Sequence, residues 1–291
     1  MSWRTIVLAK DSKISLRMSH LVVKNETITK IPLTEIGQLI IDNPNIVMTG
    51  HILNALSKYK IMTIICNEKH LPHSQLNLIY GNFKQAKMMK TQLLWKADRK
   101  DILWQQIIQH KISNQKLTLD SINPLGDHTN FDSYAAEVQP GDTTNREGHA
   151  AKVYFNKLFG IGFIRGSDTP INWALNYGYS LLMSLFTKTI VTRGLLTEVG
   201  IHHHSQFNFY NLSSDFMEVY RPLVDQIVKQ NVISEFTSKE KQILLDIFNK
   251  KILIKQKKQY LANSIEIYID SLIKFLNESS DDTELLFPIL K

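Results

Sequence analysis

The sequence predicts an α+β protein, with a small β-rich N-terminal domain over residues 1–80 and a larger, mainly α-helical domain over residues 81–291. Three observations carry that expectation. Residues 2–34 hold short β-branched runs separated by turn formers. Near Asn82 the apolar period changes to helical spacing. The chain has 291 residues, 43% of them hydrophobic against 21% charged, which is enough to bury a large core.

Taken in order, Thr5–Leu8, Lys13–Met18, Leu21–Lys24 and Thr27–Ile31 read as strands, and the turns at Asp11-Ser12 and Asn25-Glu26 suggest a β-meander. Gln38–Ile41 is a further strand, stopped by Asp42-Asn43-Pro44. Thr49–Leu56 reads as a short helix leading into a strand around Ile64, and Pro72 then breaks the pattern. From Asn82, the positions Phe83, Met88, Leu94-Trp95, Ile102-Leu103 and Ile107-Ile108 recur at helical spacing. Residues 121–145 contain a loop rich in turn formers just ahead of Glu147. A helix opens near Asn145 with Ala151, Tyr154, Phe155, Leu158 and Phe159 as its packing stripe. Another runs through Phe216, Val219, Tyr220 and Leu223, and Thr237-Ser238-Lys239-Glu240 is a capping box opening a third.

The single cysteine, Cys66, lies in an apolar run; it reads as a buried thiol and excludes an intrachain disulfide or a cysteine-based zinc site. No stretch reaches the ~18 apolar residues of a membrane span, and the N-terminus lacks a charged leader before an apolar core, so a cytoplasmic protein without a membrane is expected. There is no Gly-rich phosphate loop and no Gly-x-Ser-x-Gly elbow. The net charge of +7 is regional: residues 81–120 carry eight Lys/Arg against three acids, residues 250–277 six against two, and the last fourteen residues one Lys against four acids. Lys84, Lys87, Lys90, Lys96, Arg99 and Lys100 either solvate a helix or form a polyanion-binding face. The acidic, partly apolar end, Asp281–Ile289, either docks on a partner as an extended peptide or is a disordered tail.

Three contexts stand out chemically: Glu147 in Asn145-Arg146-Glu147-Gly148-His149, His203 in Gly200-Ile201-His202-His203-His204, and Glu218 in Asp215-Phe216-Met217-Glu218. A glutamate in a first helical turn also suits the helix dipole, and Asp215 with Glu218 can be an N-terminal charge pattern. On an irregular segment neighbouring histidines point in different directions, so one of His202, His203 and His204 serves a given site. One imidazole with two carboxylates suits Mg²⁺ or Mn²⁺ better than zinc.

Residues 145–159 (NREGHAAKVYFNKLF), 171–182 (INWALNYGYSLL) and 200–225 (GIHHHSQFNFYNLSSDFMEVYRPLVD) resemble, in order and spacing, the core of CRISPR-associated protein one, the integrase of CRISPR spacer acquisition, and among its forms the type II variant. The chain departs from the family in having Leu195-Leu196-Thr197-Glu198 where many members have Gly-Leu-Asp-Pro. The resemblance implies a metal site of Glu147, His203 and Glu218, with Asp215, His149, His202 and His204 as accessory candidates and Mg²⁺ or Mn²⁺ as the cofactor. It implies that 3′-hydroxyl ends of short duplex DNA (prespacers) are joined to the borders of a CRISPR repeat by transesterification, with hydrolysis where water attacks. Arg146, Lys84, Lys87, Arg165 and Tyr177 are candidate DNA contacts, Tyr177 being as readily a core residue. The implied partners are double-stranded DNA, a second copy of the chain and the small companion, CRISPR-associated protein two, in a hetero-hexamer, with the N-terminal domain serving dimerisation and partner docking. Two alternatives remain at this stage, a structure-selective metal-dependent repair nuclease and a non-catalytic DNA-binding scaffold.

Overall fold

The computed structural model describes residues 4–79, 81–232, 234–278 and 283–290, and the chain divides into two compact units, Met1–Gly81 and Asn82–Lys291.

The first unit is built on two sheets. In one, β1 (Arg4–Leu8) and β7 (Met62–Cys66) lie parallel on either side of β5 (Ile36–Ile41), and β8 (Pro72–Leu76) adds antiparallel to β7. All six residues of β5 are buried, the pattern of a parallel strand covered on both faces. In the other sheet β2 (Lys13–Arg17), β3 (His20–Lys24) and β4 (Ile28–Pro32) form the meander, with β6 (Val47–Met48) parallel to β2. Helix α1 (Gly50–Lys58) supplies the crossover between the parallel strands β5 and β7. Leu8, Ile14, Leu21, Leu33, Ile36, Leu39, Ile52 and Leu56 share one core.

Three local expectations need correction. The first run, β1, leaves the meander for the parallel sheet. Met18 belongs to a two-residue turn with Ser19, both at positive φ (45° and 59°), which matches the twist of the β2–β3 hairpin. Pro72 opens β8 rather than ending the sheet, as a first strand residue that need not donate to the ladder.

The second unit is mainly helical: α2 (Gln85–Leu93), α3 (Ala97–Ile122), α4 (Asn130–Ala136), α5 (Arg146–Phe159), α6 (Pro170–Thr192), α7 (Asn211–Met217), α8 (Arg221–Asn231), α9 (Ser238–Leu245) and α10 (Leu261–Asn277), with a hairpin of β9 (Lys251–Ile254) and β10 (Lys257–Tyr260) before the last helix. The long helix α3 packs on α4, α5 and α8, while α6 packs on α7, α8, α9 and α10. Gly178 permits the close approach of α6 and α8, since a methyl group there would stand 2.4 Å from Val224 Cγ1. Thr237 and Glu240 form the expected capping box.

The segment 121–145, expected to contain a loop, also holds α4 and a 3-10 turn at Pro140–Asp142. The β9–β10 hairpin went unread because its turn, Lys255-Gln256, adopts positive φ (48° and 58°) without the Asn or Gly that signals such a turn. The buried stripe of α5 keeps Tyr154 and Leu158 of the expected one and takes Ala150 in place of Ala151; Phe155 and Phe159 are part-buried, stack on each other and meet the Phe163 ring at a tilt.

Over its described part, residues 283–290, the C-terminal segment docks on its own unit, so that part is not a disordered tail. Ile289 N–H donates to the Leu253 carbonyl (2.9 Å), and Asn114 holds the Pro288 carbonyl (3.1 Å) and the Leu290 N–H (3.2 Å). The Phe287 ring stacks on His110 at 3.7 Å. Asp281 and Asp282 lie outside the described residues.

Candidate active site

The first turn of α5 is fixed before any side chain acts. Asp142, buried ahead of the helix, accepts the N–H groups of Arg146 (2.8 Å) and Glu147 (3.0 Å), and Asn145 caps Gly148 N–H (3.2 Å). These bonds satisfy donors that a helix start leaves open and pin Glu147. Its side chain, 26% exposed, turns to α3, where Glu147 Oε1 lies 2.6 Å from Lys111 Nζ.

Glu218 stands where α7 gives way to a single 3-10 turn, Glu218–Tyr220, before α8 begins with Arg221-Pro222. Proline is tolerated in a first turn because its missing N–H is not needed there. The Glu218 side chain is 5% exposed, with Oε2 2.5 Å from Lys111 Nζ and Oε1 paired with Arg221 Nε at 2.8 Å. Burial alone would raise its carboxyl pKa, but Arg221 and Lys111 outweigh burial and hold it below the usual carboxylate range. Lys111 balances the same way: burial pushes it down, and Glu147 with Glu218 holds it above the ordinary lysine value.

The histidine segment is organised by Asp215, which is completely buried. Its Oδ2 accepts the N–H groups of Ile201 (2.7 Å) and His202 (3.0 Å), and its Oδ1 accepts His203 N–H (3.1 Å) and pairs with His203 Nδ1 (2.5 Å). Gly200 is required by this wrapping, because an added Cβ would lie 2.4 Å from the His203 carbonyl and 2.6 Å from Asp215 Oδ2. The Leu195–Glu198 stretch that departs from the family pattern is held from outside. Gln92 accepts Leu196 N–H (2.8 Å) and donates to the carbonyls of Leu196 and Val199 (both 2.9 Å), while Asn211 donates to the Glu198 carbonyl (3.0 Å).

The three histidines therefore differ. His203 has one ring nitrogen committed to Asp215 and the other left for a ligand, the arrangement a carboxylate imposes on a metal-binding imidazole. Its pKa is raised, by the Asp215 hydrogen bond first, against burial, and then by the charges of Asp215, Glu218 and Glu147. His202 stacks on Trp104 (4.1 Å between ring centroids, 4° between planes), and burial lowers its pKa. His204 is exposed, and His149 meets the Tyr134 ring at 4.8 Å. Asp215, read as an accessory ligand, has both oxygens occupied by the histidine segment. It and Glu218 are buried, so they are not a solvated charge pattern at a helix start.

Glu147 and Glu218 thus meet on one ammonium, with His203 close enough to feel both charges. Among the described residues no three His, Cys, Asp or Glu side chains are grouped as for one ion. The donor chemistry, two carboxylates and an oriented imidazole, still fits a hard divalent cation. Lys111 was missed in the sequence, where it counted only as basic charge. Its signal is its place on the buried α3 stripe, one turn after Ile107 and Ile108 and beside Ile112.

The proposed DNA contacts scatter. Lys84 and Lys87 are exposed on or beside α2, and Arg146 pairs with Glu137 (2.9 Å). Arg165 donates to Asn172 (2.9 Å) and Asn176 (2.7 Å). Tyr177 is buried, its ring against Phe236, so it is withdrawn as a DNA contact. Arg99 leaves the basic face too: it is buried, donating to the Phe275 carbonyl through Nε (2.9 Å) and Nη2 (2.7 Å).

A family profile described as CRISPR associated protein Cas1 matches residues 5–259. The chain belongs to the Cas1 family. A CRISPR-associated endonuclease Cas1 from Neisseria meningitidis is 36% identical over 230 residues, 78% of this chain and 75% of that relative. Among solved structures, a casposase bound to integration product superposes with a TM-score of 0.78 at 17% identity, over 98% of this chain and 92% of that one. The Cas1 fold also appears in a Cas6-RT-Cas1–Cas2 complex, matched with a TM-score of 0.74 at 21% identity over 99% of this chain and 36% of that chain. These two likenesses show the fold, a strand-rich N-terminal part followed by helices. No helix among the described residues is long and apolar enough to cross a membrane.

Proposed function

We propose that this Cas1 family member is a divalent-metal-dependent DNA integrase and endonuclease that joins 3′-hydroxyl ends of short duplex DNA to the borders of a CRISPR repeat. The observation that carries this reading is the meeting of Glu147 and Glu218 on a single cationic centre, beside an imidazole oriented by a buried carboxylate. Glu147, His203 and Glu218 would hold Mg²⁺ or Mn²⁺. When bound, the ion supplies a Lewis acid for the scissile phosphate, the attacking hydroxyl and the departing 3′ oxygen.

The chain's own residues do the rest. Asp215 fixes the His203 ring so that its second nitrogen is presented to the site, and Asp142 fixes the start of α5 so that Glu147 is presented from a rigid turn. Arg221 keeps Glu218 ionised while buried. No side chain is needed as a covalent nucleophile: a DNA hydroxyl attacks phosphorus as the P–O bond to the departing 3′ oxygen breaks, which conserves the number of phosphodiesters. The relative named as an endonuclease and the casposase bound to integration product support hydrolysis and strand transfer as two outcomes of one chemistry, decided by whether water or a DNA hydroxyl attacks. The exposed Lys84 and Lys87 would neutralise backbone phosphates.

For assembly the neighbour solved as a Cas6-RT-Cas1–Cas2 complex supports a Cas2 partner, and the family resemblance adds to the proposal a homodimer, formed through the N-terminal unit, that joins this small companion in a hetero-hexamer. The type II assignment belongs to the same proposal. The test is to incubate the protein and its companion with 3′-hydroxyl duplex DNA and a supercoiled repeat-bearing plasmid, with Mn²⁺ or Mg²⁺, comparing wild type with His203→Ala. Joined products lost in the variant are expected. Cleavage without joining points to the nuclease alone, and equal activity in both proteins overturns the ligand set.

A further inference from the structure

Among the described residues, Lys111 is the one charged group at the centre of the site to which the proposed reaction gives no task. Its ammonium lies 2.6 Å from Glu147 Oε1 and 2.5 Å from Glu218 Oε2, and its side chain is 9% exposed. A Mg²⁺ ion taken by the same two carboxylates would stand about 2.1 Å from an oxygen of each. An ion bridging the same two oxygens that the ammonium bridges would have to take its place between them.

We propose that the Lys111 ammonium occupies the place between Glu147 and Glu218 that a divalent cation would take and competes with the cation for it, so that cation binding requires the ammonium to release at least one carboxylate. The inference rests on the metal reading given above. Three features of the surroundings support an exchangeable ammonium over a permanent ion pair. Glu218 keeps Arg221 on its other oxygen (2.8 Å), so it is not left as an isolated buried charge when Lys111 withdraws. Glu147 is the more exposed of the two acids, with 26% of its side chain open against 5% for Glu218, which gives the lysine end a polar direction in which to move. The lysine stem leaves from α3, whose neighbouring positions Ile107, Ile108 and Ile112 are fully buried, so the end of a flexible side chain moves while the helix stays packed.

The experiment measures binding rather than turnover. Mn²⁺ affinity of the full-length protein is determined by titration calorimetry, and by electron paramagnetic resonance of the unbound ion, for wild type and Lys111→Met. A purely structural ion pair predicts weaker binding in the variant, because the carboxylates lose the group that gathers them. A competing ammonium predicts the opposite, at least tenfold tighter Mn²⁺ binding. Because Lys111→Met leaves two acids short of a counter-ion and can fail to fold, a second measurement uses wild-type protein with ¹³Cε-labelled lysine. There the Lys111 resonance, assigned by its absence in Lys111→Arg, is expected to move and saturate as Mg²⁺ is added.

Wild type that binds Mn²⁺ while folded Lys111→Met binds it no more tightly overturns the competition and leaves the metal reading standing. So does a Lys111 resonance that stays in place through Mg²⁺ saturation. Absence of binding in both proteins overturns the metal reading and the inference with it.

Discussion

Replacing Asp215 by Asn tests the central geometric claim, that one buried carboxylate builds the histidine segment. The carboxylate takes four bonds, two on each oxygen, from Ile201, His202 and His203. An amide of the same shape offers one oxygen and one NH₂. With its oxygen at the Oδ2 position it keeps Ile201 and His202 and strands the His203 N–H; in the other orientation it strands the Ile201 and His202 N–H groups. A buried donor without an acceptor costs roughly 1–3 kcal/mol, and the surviving bonds lose the strength of an ionised acceptor, so the substitution is expected to cost about 3 kcal/mol in all. Urea unfolding near neutral pH measures that cost. The same variant bears on proton binding. His203 has a raised pKa in the fold, so its stabilising contribution is full below about pH 6.5 and is lost as pH rises through the folded value. Asp215→Asn is expected to lower the His203 pKa, followed by NMR, and to flatten that part of the stability profile. A loss under about 1 kcal/mol with an unmoved His203 titration would refute the reasoning.

Two further outcomes follow from buried groups near the site. Asp225, buried and bonded by the Tyr179 hydroxyl, has its pKa pushed from 3.8 up to about 6, chiefly by burial. The fold therefore binds its proton more tightly than the unfolded chain, and the Asp225 contribution to stability falls as pH rises from about 4 to 6 and is level above; Asp225→Asn should gain on wild type by about 3 kcal/mol across that window, read from paired urea titrations. Gly200→Ala places a methyl group against the His203 carbonyl and Asp215 Oδ2, and is expected to cost about 3 kcal/mol in urea unfolding; a cost under 0.5 kcal/mol would show that the segment is not wrapped as described.

Much of the layout was legible because periodicity is written locally: the change near Asn82, the capping box at Thr237 and the core strand ending at Ile41 all appear in the structure. What failed had no local signature. The β9–β10 turn uses Lys255-Gln256, residues that do not advertise positive φ, and β1 has the composition of a meander strand although it pairs with β5. At the site the same division holds. The exceptional contexts around Glu147, His203 and Glu218 could be read from residue types, whereas the α3 stripe marks Lys111 only as a buried cation, and its two acid partners follow from the convergence of α3, α5 and the α7–α8 junction. A lysine on an apolar helical stripe is a stronger pointer than a lysine in a basic run, since burying an unpaired ammonium is costly and a buried one needs an acid partner.

The supports of the site share a logic that explains why its acids can be so deeply placed. Asp142 and Asp215 spend their charge on backbone N–H groups, stiffening the two segments that present Glu147 and His203. Glu218 has no such backbone role and is neutralised by side chains, by Arg221 from the next turn and by Lys111 from another helix. Charges committed to backbone donors cannot be exchanged without unfolding a turn, whereas an ammonium at the end of a flexible stem can. The arrangement thus separates a fixed frame from one replaceable cation, and the replaceable one is shared by the two carboxylates proposed to hold the metal.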